Sequence, residues 1–158
     1  MTLVNVLYQN TKVSSFNRFK KFFKTFFILV DFHICHLHET QGDAVKAKDF
    51  YLLLLSHEDL PPLLKTAVLR QLSWLFMCAE QLGEAPQRNQ AAYQYLQEAV
   101  RIDNNDPQNY YLLGRCYAAL GMVQQAFHYY RSAIDKSESN ADTWCSIGYV
   151  FHNIANFL

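Results

Sequence analysis

This sequence contains no closely spaced pair of cysteines that could bind a metal, no long apolar run and no glycine-rich loop. The four cysteines lie 43, 38 and 29 residues apart, so neither a Cys-x-x-Cys motif nor a disulfide framework is indicated. A reducing, intracellular compartment fits them better. No stretch of eighteen apolar residues is present, which argues against a transmembrane helix. The five glycines are scattered, so no phosphate-binding loop is expected.

Acidic side chains are missing from the first thirty residues. The other 128 residues hold all fourteen acids and nine of the fourteen bases, a net charge of −5. A mildly acidic body of this kind argues against a dedicated nucleic-acid surface. Because 51% of the residues are hydrophobic and 15% are aromatic, the composition is that of a folded chain with a sizeable core.

A repeat with a period of 34 residues is the strongest pattern in the chain. Four residues of repeat type recur 34 positions later with matching chemistry: Tyr110, Leu113, Gly114 and Tyr117 are followed by Trp144, Ile147, Gly148 and Phe151. This is the period of the tetratricopeptide repeat, a helix–turn–helix unit. The sequence therefore predicts an all-α fold, a tetratricopeptide-repeat α-solenoid in which helix pairs stack into a right-handed superhelix. Such solenoids offer an extended concave surface that mostly holds other proteins.

The repeat register divides the chain into five segments. They are a basic, aromatic N-terminal segment at 1–31, a weak first repeat at 32–60, a second repeat at 61–106, a third at 107–140 and a truncated fourth at 141–158. The second repeat carries seven extra residues within 80–89, and the breakers Gly83 and Pro86 predict a lengthened turn between its helices. The fourth lacks a second helix, so the apolar face of 144–151 is expected to lie open. We interpret the chain as a fragment of something longer.

The segment Phe19–Val30 combines lysines with phenylalanines and allows several interpretations. Its uninterrupted apolar run, 26–30, is short for the core of a secretory signal. A basic amphipathic helix on a membrane surface is a second interpretation. A third is a helix that docks on the first repeat. A fourth is translated non-coding sequence, and the tail 151–158 has a similar composition.

Candidate chemical sites are few. His33 and His36 share a helix face at a spacing that can hold a metal, but no second pair of ligands accompanies them. His57-Glu58-Asp59 has the His-x-Asp form of a ferrous-iron triad, yet it lies in a polar turn instead of on a rigid β-scaffold. We therefore predict no catalytic residue, no metal site, no cofactor and no enzyme in this chain.

The concave face is where we expect function. Its predicted groove residues come from the first helix of each repeat: Arg70, Gln71, Trp74 and Met77; Gln108, Tyr111 and Arg115; Asp142, Cys145, Ser146 and Tyr149. Aromatic, methionine and arginine side chains are favoured in protein-binding hot spots, although Trp74 and Tyr111 are equally suited to packing between repeats. The lysine and asparagine of a chaperone-tail carboxylate clamp are replaced by Tyr111 and Arg115, then by Cys145 and Tyr149, which argues against that clamp.

Several segments resemble a particular family more than a generic repeat. They are LLGRCY at 112–117, VQQAF at 123–127, YRSAIDKSE at 130–138 and NADTWCSIG at 140–148, supported by the segments at 33–41, 65–74 and 93–97. Over about residues 32–149 the chain resembles the tetratricopeptide region of the UTX/UTY histone demethylases. A yeast-type general corepressor is the nearest competitor.

The resemblance implies a role without implying chemistry in this chain. The full-length family removes methyl groups from lysine 27 of histone H3 with Fe(II) and 2-oxoglutarate in a Jumonji domain, which this chain lacks. What the resemblance implies here is a nuclear scaffold that docks into a histone H3 lysine-4 methyltransferase complex. The expected partners are protein subunits of such a complex, with no direct nucleic acid, no membrane and no small-molecule substrate. A generic corepressor adaptor and a demethylase cut short are the alternatives.

Overall fold

The computed structural model describes the backbone of residues 3–137 and 141–155, and the side chains of 18–20, 22–137, 141, 143–149 and 152. Every regular element in these ranges is helical. The α-helices are α1 Leu3–Thr40, α2 Ala44–Leu55, α3 Pro62–Cys78, α4 Ala85–Ile102, α5 Pro107–Ala119, α6 Val123–Lys136 and α7 Ala141–Ala155, with a 3₁₀ turn at Glu80–Leu82. The predicted all-α class is confirmed. None of these helices has the length and apolarity needed to cross a membrane.

Short turns fold the helices into antiparallel pairs. Gly42 and Gly121 take positive φ angles of 81° and 72° between the paired helices, a conformation that costs glycine little. Pro107 occupies the start of α5, where a missing N–H is harmless. The carboxylate of Asp106 caps the same helix by accepting a hydrogen bond from the Gln108 backbone N–H. These local signals fix the turns between α1 and α2 and between α5 and α6, and the start of α5.

The two helices pack against each other within each of the pairs α1–α2, α3–α4 and α5–α6, and α7 packs on α6. The first helices also meet in a row, α1 with α3, α3 with α5 and α5 with α7, which creates the inner face of the solenoid. The core is divided along this row: one cluster surrounds Tyr51 and Leu72, a second Leu96 and Leu113, and a third Tyr130 and Ile147. A core built between neighbours is what a repeat architecture requires.

Gly114 shows why small residues recur at this repeat position. A Cβ atom built on Gly114 would lie 2.5 Å from both Cδ1 and Cε1 of Tyr130, well inside contact distance. The tyrosine ring of α6 therefore rests directly on the backbone of α5, and Tyr130 is 2% exposed. The helix propensity lost with glycine, about 1 kcal/mol, is offset by this close approach.

The insertion in the second repeat differs from its prediction. Helix α4 begins seven residues before the buried Ala92, whereas α6 begins three residues before its counterpart Ala126. Four of the seven extra residues therefore form an additional turn of α4, and three lengthen the linker, which carries the 3₁₀ turn. Pro86 does not break the helix because it stands in its first turn, where proline is favoured.

One continuous helix crosses the position between residues 31 and 32 where the composition changes. Ile28 and Cys35 of α1 are both buried in the cluster around Tyr51, so the packed part of α1 extends to either side of that position. Lys24 forms an ion pair with Asp59 in the α2–α3 connection. The apolar stripe of α1 that includes Phe19, Phe22 and other large side chains is exposed. The repeat boundaries themselves stay predictions.

Candidate partner-binding groove

Two adjoining clefts line the inner face of α3, α5 and α7. The first, about 580 Å³, is formed by Arg70, Gln71 and Trp74 of α3 and by Gln108, Tyr111, Leu112 and Arg115 of α5. The second, about 620 Å³, shares Tyr111 and Arg115 and extends to Cys145, Ser146 and Tyr149 of α7. Because they share side chains, the clefts form one continuous groove, which we call the inner groove.

Arg115 is the electrostatic centre of the inner groove. Its guanidinium carbon lies 4.6 Å from the centroid of the Trp74 ring, a cation–π contact between α5 and α3. None of the ion pairs found within the described ranges involves Arg115. The indole holds this positive charge in place without neutralising it, so the groove carries a charge that an acidic group of a partner can approach.

Arg70 differs from Arg115 because its charge is already paired. Its guanidinium donates to Asp106 Oδ2, while Oδ1 of the same carboxylate accepts the Gln108 backbone N–H at 2.9 Å. Both oxygens of Asp106 are thus engaged, one by α3 and one by the start of α5. Arg70 therefore shapes the wall of the inner groove more than it adds free charge.

Tyr111 joins the two clefts and is held from both sides. Its phenol oxygen accepts a hydrogen bond from Ser146 Oγ of α7 at 3.4 Å. Its ring centroid lies 5.9 Å from that of Tyr130 on α6. Side chains fixed in this way lose little rotamer freedom when a partner binds, which lowers the entropic cost of binding.

The structure brings together six of the predicted groove residues in the first cleft: Arg70, Gln71, Trp74, Gln108, Tyr111 and Arg115. Tyr149 lines the adjoining cleft and is 66% exposed. The side chain of Asp142 lies outside the described residues. That these side chains bind a partner stays a prediction.

Met77 is the predicted groove residue that the structure places elsewhere. Its Sδ atom lies 3.5 Å from Cys116 Sγ, and it packs into the core cluster shared by α3, α4 and α5. The prediction missed Leu112, which lines the first cleft. Leu112 holds the repeat position that Gln71 holds one copy earlier, so the same positional rule would have found it.

A third cleft, about 670 Å³, continues from Trp74 toward the C-terminal end of α1. His36 Nδ1 lies 3.2 Å from Glu39 Oε2 there, and the same oxygen accepts the Tyr51 hydroxyl at 2.9 Å. Glu39 therefore serves the packing of α1 on α2. No group of three or more histidine, cysteine or acidic side chains capable of holding a metal occurs among the described residues.

The buried cysteines have the properties of core residues. Burial raises the pKa of the Cys35 thiol to about 11 and that of Cys116 to about 12. At neutral pH both stay protonated, and a thiol in that form is a poor nucleophile. Both lie in the core clusters, where a cysteine packs as a small apolar residue, whereas Cys145 is exposed.

Comparisons with known proteins support the fold and include a transcription regulator. The family model described as "Tetratricopeptide repeat" matches residues 107–139. The general transcriptional corepressor ssn6 of Schizosaccharomyces pombe is 36% identical over 73 residues, which are 46% of this chain but only 6% of that protein. The chain thus spans a small part of the curated relative that it matches.

Solved tetratricopeptide domains share the architecture at low sequence identity. The first such domain of Spaghetti (RPAP3), bound to the HSP90 peptide SRMEEVD, has a TM-score of 0.66 at 17% identity and covers 81% of this chain and 93% of its own. The Sgt2 domain from Aspergillus fumigatus has a TM-score of 0.66 at 14% identity, covering 81% and 79%. MamA has a TM-score of 0.63 at 22% identity, covering 77% and 65%. The predicted tetratricopeptide-repeat solenoid is confirmed.

Proposed function

We propose that this chain is a non-enzymatic scaffold that holds an extended segment of a partner protein in the inner groove, within a nuclear assembly that regulates transcription. The observation that carries the proposal is Arg115, stacked on Trp74 in a continuous groove and paired with no carboxylate of the described residues. A tetratricopeptide-repeat scaffold of this kind holds other proteins along its concave face.

The groove chemistry favours a particular kind of segment. Arg115 attracts a carboxylate side chain, and the rings of Trp74 and Tyr111 offer apolar surface on either side of that charge. Gln71 and Gln108 add amide groups that hydrogen-bond an extended backbone. An acidic residue flanked by an apolar or aromatic residue complements this surface. The positions of the chaperone-tail clamp hold other side chains here, so we do not assign the groove to a free C-terminal carboxylate.

Two nuclear assemblies are candidates for the partner. The resemblance to UTX/UTY histone demethylases supports docking into a histone H3 lysine-4 methyltransferase complex. The similarity to ssn6, a general transcriptional corepressor, supports an adaptor of corepression about as well. In the first case the Fe(II) and 2-oxoglutarate chemistry belongs to a Jumonji domain outside this chain. In both cases the inner groove holds a segment of the partner protein.

Affinity capture from nuclear extract tests the groove and separates the two candidates. The bait is the full 158-residue chain, and captured subunits are identified by mass spectrometry. Subunits of a lysine-4 methyltransferase complex support the demethylase candidate, and corepressor subunits support the other. Capture of chaperones alone would contradict both.

The matched variants are Arg115→Glu and Arg131→Glu. Both reverse one positive charge, but Arg131 is exposed on α6 and lines none of the clefts described above. Arg115→Glu removes one cation–π contact, worth about 0.5–1 kcal/mol of stability, so the chain stays folded. We expect capture to fall about tenfold with Arg115→Glu and to be unchanged with Arg131→Glu. Equal capture by both variants would place the interface outside the inner groove.

A further inference from the structure

Helix α1 is longer than the repeat requires. Cys35 holds the repeat position of Gly114, and α5 begins seven residues before Gly114, at Pro107. By the same measure a repeat helix would begin at Ile28, yet α1 begins at Leu3. We call residues 3–27 the α1 extension. It is about 37 Å long at 1.5 Å per residue.

The α1 extension has no counterpart in the internal repeat. Helices α3 and α5 are each preceded by a short connection, 56–61 and 103–106, through which the chain folds back from the previous helix. Helix α1 continues instead without a turn from Leu3 to Thr40. The residues before Ile28 therefore extend the same helix and do not form a preceding repeat helix that covers it.

Five phenylalanines form one exposed face of the α1 extension. At 100° per residue they span an arc of about 140°, on the side opposite the buried Ile28. This phenylalanine face consists of side chains that are 43–65% exposed: Phe19, Phe22, Phe23, Phe26 and Phe27. It excludes the later residues of α1, because Ile34 holds the repeat position of Leu113, which packs on the preceding repeat.

Positive charge borders the phenylalanine face on both sides. Arg18 and Lys20 lie about 100° to either side of Phe19 on the helix, and both are exposed. None of the ion pairs found within the described ranges involves either of them. Lys24 lies nearer the body of the protein and pairs with Asp59. The first thirty residues contain no acidic side chain that could neutralise the two border charges.

We propose that the phenylalanine face binds the surface of an anionic phospholipid membrane. The helix lies in the plane of the interface, with its phenyl rings at the level of the upper acyl chains and with Arg18 and Lys20 extended to the phosphates. The described helices lack the length and apolarity to cross a bilayer, and this mode of binding does not require it. The proposal selects one of the four interpretations of Phe19–Val30, departs from the expected absence of a membrane partner and is independent of the inner groove.

Other occupants fit the phenylalanine face less well. A second copy of this chain would bring Arg18 and Lys20 against the same two charges, with no acid in the segment to pair across the contact. A single partner helix packs along a stripe about 100° wide, so part of the 140° arc, about a quarter, would stay in water. A membrane surface covers the whole arc and supplies the negative charge.

The direct test measures binding of the full 158-residue chain to vesicles by sedimentation. Phosphatidylcholine vesicles that contain phosphatidylserine should bind the chain, and vesicles of phosphatidylcholine alone should bind it far more weakly. Binding should weaken as salt is added, because salt screens the attraction between the border charges and the lipid headgroups.

The charge variant is Arg18→Gln with Lys20→Gln. It should weaken binding about thirtyfold, since each basic side chain near an anionic surface contributes a factor of about five. The matched control is Arg101→Gln with Arg131→Gln, which removes two charges from exposed positions of α4 and α6 and should leave binding unchanged.

The apolar variant is Phe22→Gln with Phe26→Gln. It should weaken binding at least tenfold, because two exposed rings no longer leave water. Leu120→Gln with Met122→Gln removes two exposed apolar side chains from the turn between α5 and α6 and should bind as the parent chain does. The groove variant Arg115→Glu should also bind vesicles normally, so that failure of one proposal is distinguished from failure of the other.

Three results would overturn the proposal. One is the absence of binding to phosphatidylserine vesicles by a chain that circular dichroism shows to be helical. Another is binding that the charge variant and the apolar variant both leave unchanged. The third is a dimer or a captured acidic protein that the apolar variant releases and that vesicles do not displace, because the phenylalanine face would then belong to a protein.

Discussion

Substituting alanine for Gly114 should destabilise the chain, whereas the same change at Gly148 should stabilise it. In either helix the replacement gains about 0.8–1 kcal/mol of helix propensity. At Gly114 the new Cβ would lie 2.5 Å from two ring atoms of Tyr130, so the buried ring must move by close to an ångström. Overpacking of this kind costs about 1–3 kcal/mol. At Gly148 the same atom meets nothing within 4 Å among the described residues.

The comparison is informative because the propensity gain cancels between the two variants. Their free energies of unfolding should differ by about 1–3 kcal/mol, which for a chain of this size is a difference of about 2–12 °C in melting temperature. Thermal and urea denaturation followed by circular dichroism would measure it. A Tyr130→Leu background should shrink the difference, since leucine has no ring above Gly114. Identical melting of Gly114→Ala and Gly148→Ala would refute the proposed contact between ring and backbone.

Further predictions concern a helix end and the thiols. Arg88 donates a hydrogen bond to the Phe76 carbonyl oxygen, in the last turn of α3, at 3.0 Å. Arg88→Met should leave that carbonyl without this bond and lower the free energy of unfolding by about 1–2 kcal/mol. An unchanged midpoint in urea denaturation would contradict this. The exposed Cys78 and Cys145 should react with a thiol reagent in native conditions far faster than the buried Cys35 and Cys116, while denaturant should equalise all four. The folded chain keeps the protons of the two buried thiols to pH values near 11 and 12, whereas the unfolded chain releases them near 9, so stability should fall as pH rises above 9. Urea midpoints at pH 8 and 10 would show this, and a chain with both buried thiols replaced by alanine should lose less between them.

The parts of the fold that the sequence predicts well depend on local signals. The recurrence of Leu113 and Gly114 as Ile147 and Gly148 one period later predicts helix–turn–helix units, and the structure confirms the all-α tetratricopeptide-repeat solenoid. The same register predicted six side chains that meet in one cleft. These predictions hold because helix period and repeat period together fix which residues share a face.

The parts that the sequence does not predict depend on context. Pro86 reads as a breaker in isolation, but a proline in the first turn starts a helix, and only the neighbouring packing decides which role it takes. The change of composition near residue 31 suggests a boundary, yet no glycine or proline occurs between 3 and 40, and α1 continues through it. Met77 holds a groove position by register, and its flexible side chain turns instead toward the Cys116 sulfur in the core.

The carboxylate of Asp106 links two neighbouring repeats of the solenoid. One of its oxygens fixes where α5 begins and the other is held by Arg70 of α3, so the start of one repeat is fastened to the helix of the previous one. A change in the angle between α3 and α5 would strain the Arg70–Asp106 contact, which crosses between the two helices, while the cap at the start of α5 would persist. Asp106 therefore acts together with the core packed between α3, α4 and α5 to hold the angle between these helices, and with it the opening between Trp74 and Tyr111. For a partner segment bound in the inner groove, this carboxylate thus links the cap of one helix to a charged wall residue of the groove, Arg70.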